Sequence, residues 1–403
     1  MLTKSSSWSI EERVSTTRFS LRSFLFVMLL CCIKCLATTA SAQDFRGAWI
    51  ASVWNINFPS KQGLSAEAQR REIISLLDAA RKAQLNHIFV QVRPEACAMY
   101  PSKLDPWSRF LTGKQGASPG FDPLQSFVDE GRRRGIRVHA WLNPYRAGIN
   151  ASQARHSSHI TNRYPQHTKR IGNLLWLDPG APQVRRHLLT VVQDLISRYD
   201  LAGIHLDDYF YPYPAPGKSV NFPDAETFAA YQRAGGTLSL ADWRRDNVNT
   251  LVREMQTLIK REKPRMLFGV SPFGIYTKGQ PPEVKAGLDQ YNQIYADPLK
   301  WMREGWVDYL VPQLYWKEGG PQSFSALLRW WRSPAVNPRG IPIFPGIALD
   351  RLTGSHNWPI SEIQTQLNLE RRIGPRPGGG GFVLYNIGPV VANTKGVQNL
   401  LAR

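Results

Sequence analysis

The stretch Gly203-Ile-His-Leu-Asp-Asp-Tyr-Phe-Tyr-Pro-Tyr-Pro214 decides how the rest of the chain is read. A short alternating run, Gly203–Leu206, leads into two adjacent aspartates and then into a loop of tyrosine and proline. A run of that length bounded by turn residues reads as a buried strand. A strand that ends in acidic residues and opens into an aromatic loop carries its chemistry at the C-terminal end. That is the face on which a parallel β/α barrel builds its active site.

Working outward, seven more runs read as strands: Gly47–Val53, His87–Val92, Ile136–Leu142, Met266–Val270, Tyr309–Gln313, Ile341–Ile347 and Gly381–Tyr385. Helical patterns separate them, at 66–84, 123–134, 182–199, 240–262, 297–304, 323–332 and 360–372. Strands alternating with helices imply a parallel sheet. Eight such units predict a closed (β/α)8 TIM barrel with long loops on its C-terminal face, occupying residues 43–403. The competing doubly wound sheet would carry a Gly-rich phosphate turn after an early strand. Here the first strand runs into Trp54-Asn-Ile-Asn-Phe-Pro59 instead. The turn Gly378-Gly-Gly-Gly381 reads as the approach to the last strand. The long post-strand loops are Pro94–Phe121, Asn143–Ala181 and Tyr209–Leu240.

Strand faces alternate with period two. One parity holds Ile88, Val90, Val92, Val138, Ala140, Leu142, Ile204 and Leu206, and should face the surrounding helices. The other holds Gln91, Arg93, His139, Asn143, His205 and Asp207, and should converge on the barrel axis, joined by Gln313 and Asn386. Buried polar groups without partners cost on the order of 1–3 kcal/mol each, so such a convergence points to a site. Asp207 is the better axis-facing carboxylate, with Arg93 and His205 expected to keep it ionised. Asp208 should point to the opposite side as a supporting residue, unless the strand ends one position early.

Two carboxyl groups commonly flank the bond in glycoside hydrolysis. The candidates for the second are Glu95, Glu226 and Glu318, with Glu226 first because its loop starts from the aspartate pair. Against it, Asp224-Ala-Glu-Thr-Phe-Ala-Ala-Tyr231 also reads as a helix with an acidic first turn. Tyr145, Tyr209, Tyr211, Tyr213, Tyr315 and Trp316 all follow strands, where ring faces can pack on sugar C–H faces. Arg146 joins this set.

The first 42 residues read differently. Lys4, Arg13, Arg18 and Arg22 precede an apolar run from Phe24 to Ile33, followed by Ala37-Thr-Thr-Ala-Ser-Ala42. This is the layout of a secretory signal peptide, so a chain exported to the periplasm or cell surface should begin at Gln43. An uncleaved anchor is the competing reading, but the run is shorter than the roughly 20 residues that span a bilayer. No stable membrane insertion is expected after cleavage. Cys97 is then the only cysteine, which excludes an internal disulfide and a Cys-based zinc site.

The whole chain carries a formal charge of +19, and about +16 without the first 42 residues. Such a surface attracts anionic polymers. The clusters Arg132-Arg133-Arg134 and Arg244-Arg245 read as solvated helix faces, and no nucleic-acid-binding motif accompanies them. No cofactor motif is present.

With these features in place, nearly the whole exported chain resembles the bacterial glycosyl-hydrolase-like family 10. That family includes a divisome-localised glycosidase acting on peptide-free peptidoglycan strands. The matching blocks are Arg46-Gly-Ala-Trp-Ile-Ala-Ser-Val-Trp54, Gln91-Val-Arg-Pro94, Tyr100-Pro-Ser-Lys-Leu-Asp-Pro-Trp-Ser108, Leu111-Thr-Gly-Lys-Gln-Gly116, His139-Ala-Trp-Leu-Asn-Pro-Tyr-Arg146, Trp176-Leu-Asp-Pro179, the Asp207 segment, Trp243-Arg-Arg-Asp-Asn-Val-Asn249, Gly269-Val-Ser-Pro-Phe-Gly274 and Val311-Pro-Gln-Leu-Tyr-Trp316. The resemblance implies a barrel, export, a glycan substrate, and work among cell-division or wall-remodelling proteins. More distantly, Gly203–Asp207 is similar to the strand-four nucleophile motif of α-amylase-type barrels, a likeness that implies Asp207 as nucleophile, with stabilisation of positive charge as its other expected role. Those enzymes supply a glutamic acid after strand five, where this chain has Ser271-Pro-Phe-Gly274. Two other readings therefore stand beside hydrolysis: a catalytically silent glycan-binding barrel, and a metal-dependent hydrolase using His139, His205 and Asp207. The metal reading is the weaker, because no His-x-His pair follows strand one.

Overall fold

The computed structural model of the protein describes residues 44–215, 220–374 and 379–402. The expected signal segment and Gly378 lie outside the described residues. Eight parallel strands form the barrel: β1 (Phe45–Ile50), β2 (His87–Arg93), β3 (Arg137–Leu142), β4 (Gly203–Leu206), β5 (Leu267–Val270), β6 (Tyr309–Leu310), β7 (Gly346–Ala348) and β8 (Gly381–Tyr385). Each pairs with its neighbour in sequence from β1 to β6. β7 pairs with β8, and β8 pairs with β1. Parallel bridges Leu310↔Ile343 and Gln313↔Gly346 join β6 to β7 and close the circle. The ladders of β6 and β7 are shorter than their apolar runs because Pro312, Pro342 and Pro345 have no N–H to donate.

Seven helices of the outer layer follow the predicted pattern: α1 (Ala66–Lys82), α2 (Pro123–Arg133), α3 (Pro182–Arg198), α4 (Leu240–Glu262), α5 (Pro298–Glu304), α6 (Phe324–Arg332) and α7 (Ile360–Arg372). Ser65 and Ser239 cap the first turns of α1 and α4 by accepting from Ala68 N and Asp242 N. The aliphatic parity of the strands packs against these helices in one continuous core. The opposite parity fills the barrel interior with a second cluster, centred on Trp49, Phe89, Trp141, Tyr309 and Phe344.

That interior holds a hydrogen-bonded column. Trp49 Nε1–H can only donate, and lies 3.4 Å from His205 Nε2. A neutral His205 then carries its proton on Nδ1, 3.1 Å from the Tyr309 hydroxyl. Tyr309 in turn lies 3.4 Å from His139 Nδ1, and His139 Nε2 lies 2.9 Å from His87 Nδ1. Burial pushes all three histidines down, His87 and His205 to about 3 and His139 well below its ordinary value. Tyr309 reaches into this column because residue 269 is glycine. A Cβ there would sit 2.2 Å from the tyrosine ring.

The segment 143–181, read as a loop, contains a small antiparallel sheet of Arg146–Gly148, Leu174–Leu177 and Thr168–Ile171. Trp176 Nε1 donates to Phe210 O at 3.0 Å, so this sheet braces the loop that leaves β4. Arg244 and Arg245 are buried rather than solvated, contrary to expectation. Arg244 grips Asp224 through two contacts of 2.7 and 2.8 Å, and Arg245 pairs with Asp242 at 2.6 Å. The first pair fastens the far end of the β4 loop to α4.

Candidate active site

A chain of amide contacts crosses the C-terminal ends of four adjacent strands. Gln91 Oε1 accepts from the backbone N–H groups of Ser52 and Val53, both at 2.9 Å. Its amide nitrogen must then be the donor, and it lies 2.6 Å from Asn143 Oδ1. That contact forces Asn143 Nδ2 to donate to Asp207 Oδ2, at 2.8 Å. The other oxygen, Asp207 Oδ1, accepts the backbone N–H of Asp208 at 2.9 Å. Orientation is thus passed from two fixed main-chain donors to one carboxylate. Asp207 receives two N–H donors, an arrangement that suits a carboxylate anion.

Asp208 stands in a different environment. β4 ends at Leu206, one position early, so both aspartates belong to the turn and do not diverge. Asp208 is 1% exposed. Burial first, then the Asp207 charge and a hydrogen bond with Asp207, push its carboxyl well above the usual range. Tyr213 OH donates to its Oδ2, and Gln313, from beyond β6, also contacts it. The pair therefore combines an oriented carboxyl group, Asp207, with one whose charged form is disfavoured, Asp208, the contrast of environments that acid–base chemistry requires.

The mouth around the pair is aromatic. Tyr209 and Tyr213 pack at 5.0 Å, Tyr213 meets Phe273 at 6.2 Å, and Phe273 meets Trp316 edge-on at 5.5 Å. Gly274 permits the last approach, since a Cβ would lie 2.3 Å from Gln313 O and 2.8 Å from the Trp316 ring. Tyr315 and Tyr385 face each other at 5.6 Å, and both feel the charges of Asp207 and Asp208. Burial pushes Tyr385 up to about 12 and Tyr315 further, so both stay protonated as donors at neutral pH. Arg146 is the cation of this mouth, lying 5.0 Å over the Tyr209 ring and donating to Pro94 O. Trp54, in the turn after β1, is 64% exposed.

Other expected site residues are placed differently. Arg93 is fully buried, paired with Asp105 at 2.7 Å and donating to the carbonyls of Asn143 and Pro144. His205 belongs to the interior column and is neutral. Neither is hydrogen-bonded to Asp207 as expected; the neutral donors Asn143 Nδ2 and the Asp208 amide hold its carboxyl group instead. Glu95 is buried, pairs with Arg109 at 3.1 Å and accepts Ile149 N, bracing two loops together. Glu226 is exposed in the first turn of the helix Ala225–Arg233, where its charge acts on His167, and the structure does not bring it to the aspartate pair. Glu318 accepts from Ser323, Ser325 N and Ser325 OH at the start of α6. Tyr145 and Tyr211 are packed in the core between barrel and helices. Asn386 accepts from Asn57 Nδ2 and Gly388 N, tying the end of β8 to the loop after β1. His139 is bonded to His87 deeper in the barrel. Among the described residues no group of three His, Cys, Asp or Glu side chains is placed to hold a metal ion.

Sequence reasoning missed Tyr385 and Trp54. The first was legible, since it shares the inward parity of Val383 on β8. The second opens the turn Trp54–Pro59 directly after β1, and that position beyond a strand C-terminus was the available signal.

A closed barrel with an oriented carboxylate, a neutral carboxylic acid and an aromatic mouth at the strand C-termini defines a barrel hydrolase of the glycosidase class. The chain matches the family described as "Glycosyl hydrolase-like 10" over residues 44–359, and it belongs to that family. It is 35% identical over 398 residues to the glycosyl hydrolase YngK of Bacillus subtilis (strain 168), covering 96% of this chain and 76% of that one. It is 34% identical over 377 residues to the glycosyl hydrolase DigH of Escherichia coli (strain K12), covering 86% and 84%. Two solved structures share the fold. The PgaB (BpsB) glycoside hydrolase domain of Bordetella bronchiseptica has a TM-score of 0.58 at 12% identity, covering 89% of this chain and 98% of that one. The endo-1,4-beta-mannanase of Rhizomucor miehei has a TM-score of 0.54 at 8% identity, covering 89% and 95%. The protein is a glycoside hydrolase.

Proposed function

We propose that this glycosidase is exported and cleaves the glycan strands of the cell envelope, with peptidoglycan stripped of its peptides as the substrate. One observation carries the reading of the site: Asp207, oriented through Gln91 and Asn143, lies beside the neutral acid Asp208 under a ring of aromatic side chains. Asp208 delivers the proton to the leaving oxygen, and Asp207 supplies the negative charge that meets the oxocarbenium-like transition state. The missing glutamate after strand five is thereby accounted for, because the acid comes from the same turn as the anion. The sequence blocks shared with a family that contains a peptidoglycan glycosidase support the choice of substrate. The signal-like residues 1–42 and the net positive charge of the remainder support work on an anionic wall polymer outside the cytoplasm. Among the described residues no helix is long and apolar enough to cross a membrane.

Mass spectrometry of products released from purified peptidoglycan strands, with and without prior removal of peptides, tests this reading. Wild type is expected to release oligosaccharides from peptide-free strands, and Asp207→Asn to bind the strands without cleaving them. Binding by wild type with no product would instead mark a glycan-binding barrel. Secreted protein that retains Phe24–Ile33 on intact-mass analysis would overturn the proposed signal cleavage.

A further inference from the structure

The aspartate pair has a geometry that restricts its mechanism, given the reading of the site above. Two-carboxyl glycosidases hold their groups across the scissile bond, about 5–5.5 Å apart in retaining enzymes and about 6.5–9.5 Å apart in inverting ones. Asp207 and Asp208 are consecutive, so their Cα atoms are about 3.8 Å apart. Asp207 also folds back onto the Asp208 amide at 2.9 Å. No sugar ring fits between them.

Of the three glutamates that could have stood opposite, Glu95 is hydrogen-bonded to Arg109 and Ile149 N, Glu318 to Ser323 and Ser325, and Glu226 is exposed on the helix Ala225–Arg233 with no hydrogen bond to the pair. Tyr315 and Tyr385 feel one further carboxylate, Asp350, which follows β7. Asp350 lies in the turn Leu349–Leu352; burial raises its carboxyl, and the Arg351 charge and the amides of the turn offset part of that. Asp207 and Asp208 thus lie on one side of the bond, and among the described residues no other carboxyl group is hydrogen-bonded to either of them.

We infer that the nucleophile belongs to the substrate: the enzyme cleaves only at sugars bearing a 2-acetamido group, by substrate-assisted catalysis. In the first step the acetamido carbonyl oxygen forms a bond to C1. The C1–O glycosidic bond breaks, its electron pair goes to the leaving oxygen, and that oxygen takes the proton of Asp208. The sugar becomes an oxazolinium ion whose N–H is held and balanced by the Asp207 carboxylate. In the second step water attacks C1 and gives its proton to Asp208, and the C1–O bond of the oxazolinium ring breaks. The acetamido group is restored, Asp208 is neutral again, and the product keeps its anomeric configuration. Asp207 is a catalytic residue in this scheme although it never bonds to carbon. Gln91 and Asn143 are positioning residues that aim it.

The test combines binding with turnover in the full-length exported protein. The binding probe is the bicyclic thiazoline of N-acetylglucosamine, a stable mimic of the oxazolinium ring, titrated by calorimetry. It should bind at least about 100-fold more tightly than N-acetylglucosamine, in the manner of a transition-state analogue. Asp207→Asn should lose at least about tenfold of that affinity, with its fold checked by circular dichroism, and Asp350→Asn should not. For turnover, peptide-free peptidoglycan strands are compared with the same strands after chemical de-N-acetylation. De-N-acetylated strands should be cut at least about 100-fold more slowly, and product NMR should show retention. Equal cleavage of both strands, inversion at C1, or thiazoline affinity unchanged in Asp207→Asn would each overturn the inference while leaving a peptidoglycan hydrolase in place. Conversely, N-acetylated chito-oligosaccharides cut with the expected thiazoline response, and peptidoglycan untouched, would overturn the proposed substrate and support the mechanism.

Discussion

Asp208 is held where its charged form is disfavoured, by burial and by the neighbouring Asp207 charge. An unfolded aspartate titrates near 3.9. Between that value and the raised folded one, the folded state holds a proton that the unfolded state has lost. The stability this provides is full below about pH 4 and is lost as pH rises through the folded value. Asn has the same shape and cannot ionise. Asp208→Asn should therefore raise the melting temperature by a few degrees at pH 8 and by less at pH 4, while lowering kcat by about 10²–10⁴ through loss of the acid. A variant that is inactive yet less stable at pH 8 would contradict a buried neutral acid. In the proposed mechanism the same residue acts in its protonated form, so it is expected to set the alkaline side of the pH–rate profile. Tyr213 donates to Asp208 and lowers its pKa. Tyr213→Phe should accordingly move the alkaline limb of kcat to higher pH, and an unmoved limb would assign that limb to another group.

At the scale of elements, the eight strands and seven large helices were legible because each has a strong period and a clear punctuation. Strand parity also correctly sent Gln91, Asn143 and Asp207 to one place. Parity says nothing of depth, however. His139 and His205 share that parity yet lie in the layer below, and Arg93 is drawn sideways by Asp105, a partner from a loop. The small sheet went unread because its strands are three or four residues long, and Lys169-Arg170 hides any apolar alternation. Its Gly172-Asn173 turn, with Gly172 at φ 57°, was the available signal. The proton donor was sought in long loops because two adjacent aspartates diverge in an extended strand, and the end of β4 at Leu206 removes that premise. The β1 turn carries its own consequence. Trp54 has φ 58° and is 64% exposed, so the turn presents its ring to solvent at the end of the barrel that holds the site. A ring exposed in this way is free to pack on the C–H face of a sugar. Trp54→Ala is expected to raise KM for glycan strands about 3–10-fold, with kcat and melting temperature nearly unchanged. A loss in kcat with constant KM would place Trp54 in the transition state instead.

For the whole molecule, the barrel separates two polar systems along its axis. The catalytic end is open and carries the aspartates, while the interior below it is closed by the column from Trp49 to His87. A cavity of about 850 Å³ lies at the opposite end, lined by Arg137, Ala202 and Leu267 where strands begin, so volume alone would misplace the site. Trp49 can donate to His205 Nε2 only while that ring is neutral. For His205, burial is the cause of the shift to about 3, against about 6.5 in the unfolded chain. The unfolded state therefore takes up a proton first as pH falls. The stability contributed by the neutral ring is full above pH 6.5, declines below it, and stops declining near pH 3. His87 and His139 act in the same direction, and Arg137 adds to both shifts. The raised carboxyl of Asp208 acts oppositely, so the pH dependence of wild type alone is a mixture. Comparison with His205→Gln isolates one group, since Gln can accept from Trp49 and donate to Tyr309 without titrating. Urea denaturation at pH 7, 6 and 5 should give a wild-type stability that falls more steeply than the variant's, the difference approaching about 1.4 kcal/mol per pH unit below pH 6. Parallel slopes would mean that His205 titrates inside the barrel as it does in the unfolded chain, and the neutral column beneath Asp207 would have to be abandoned.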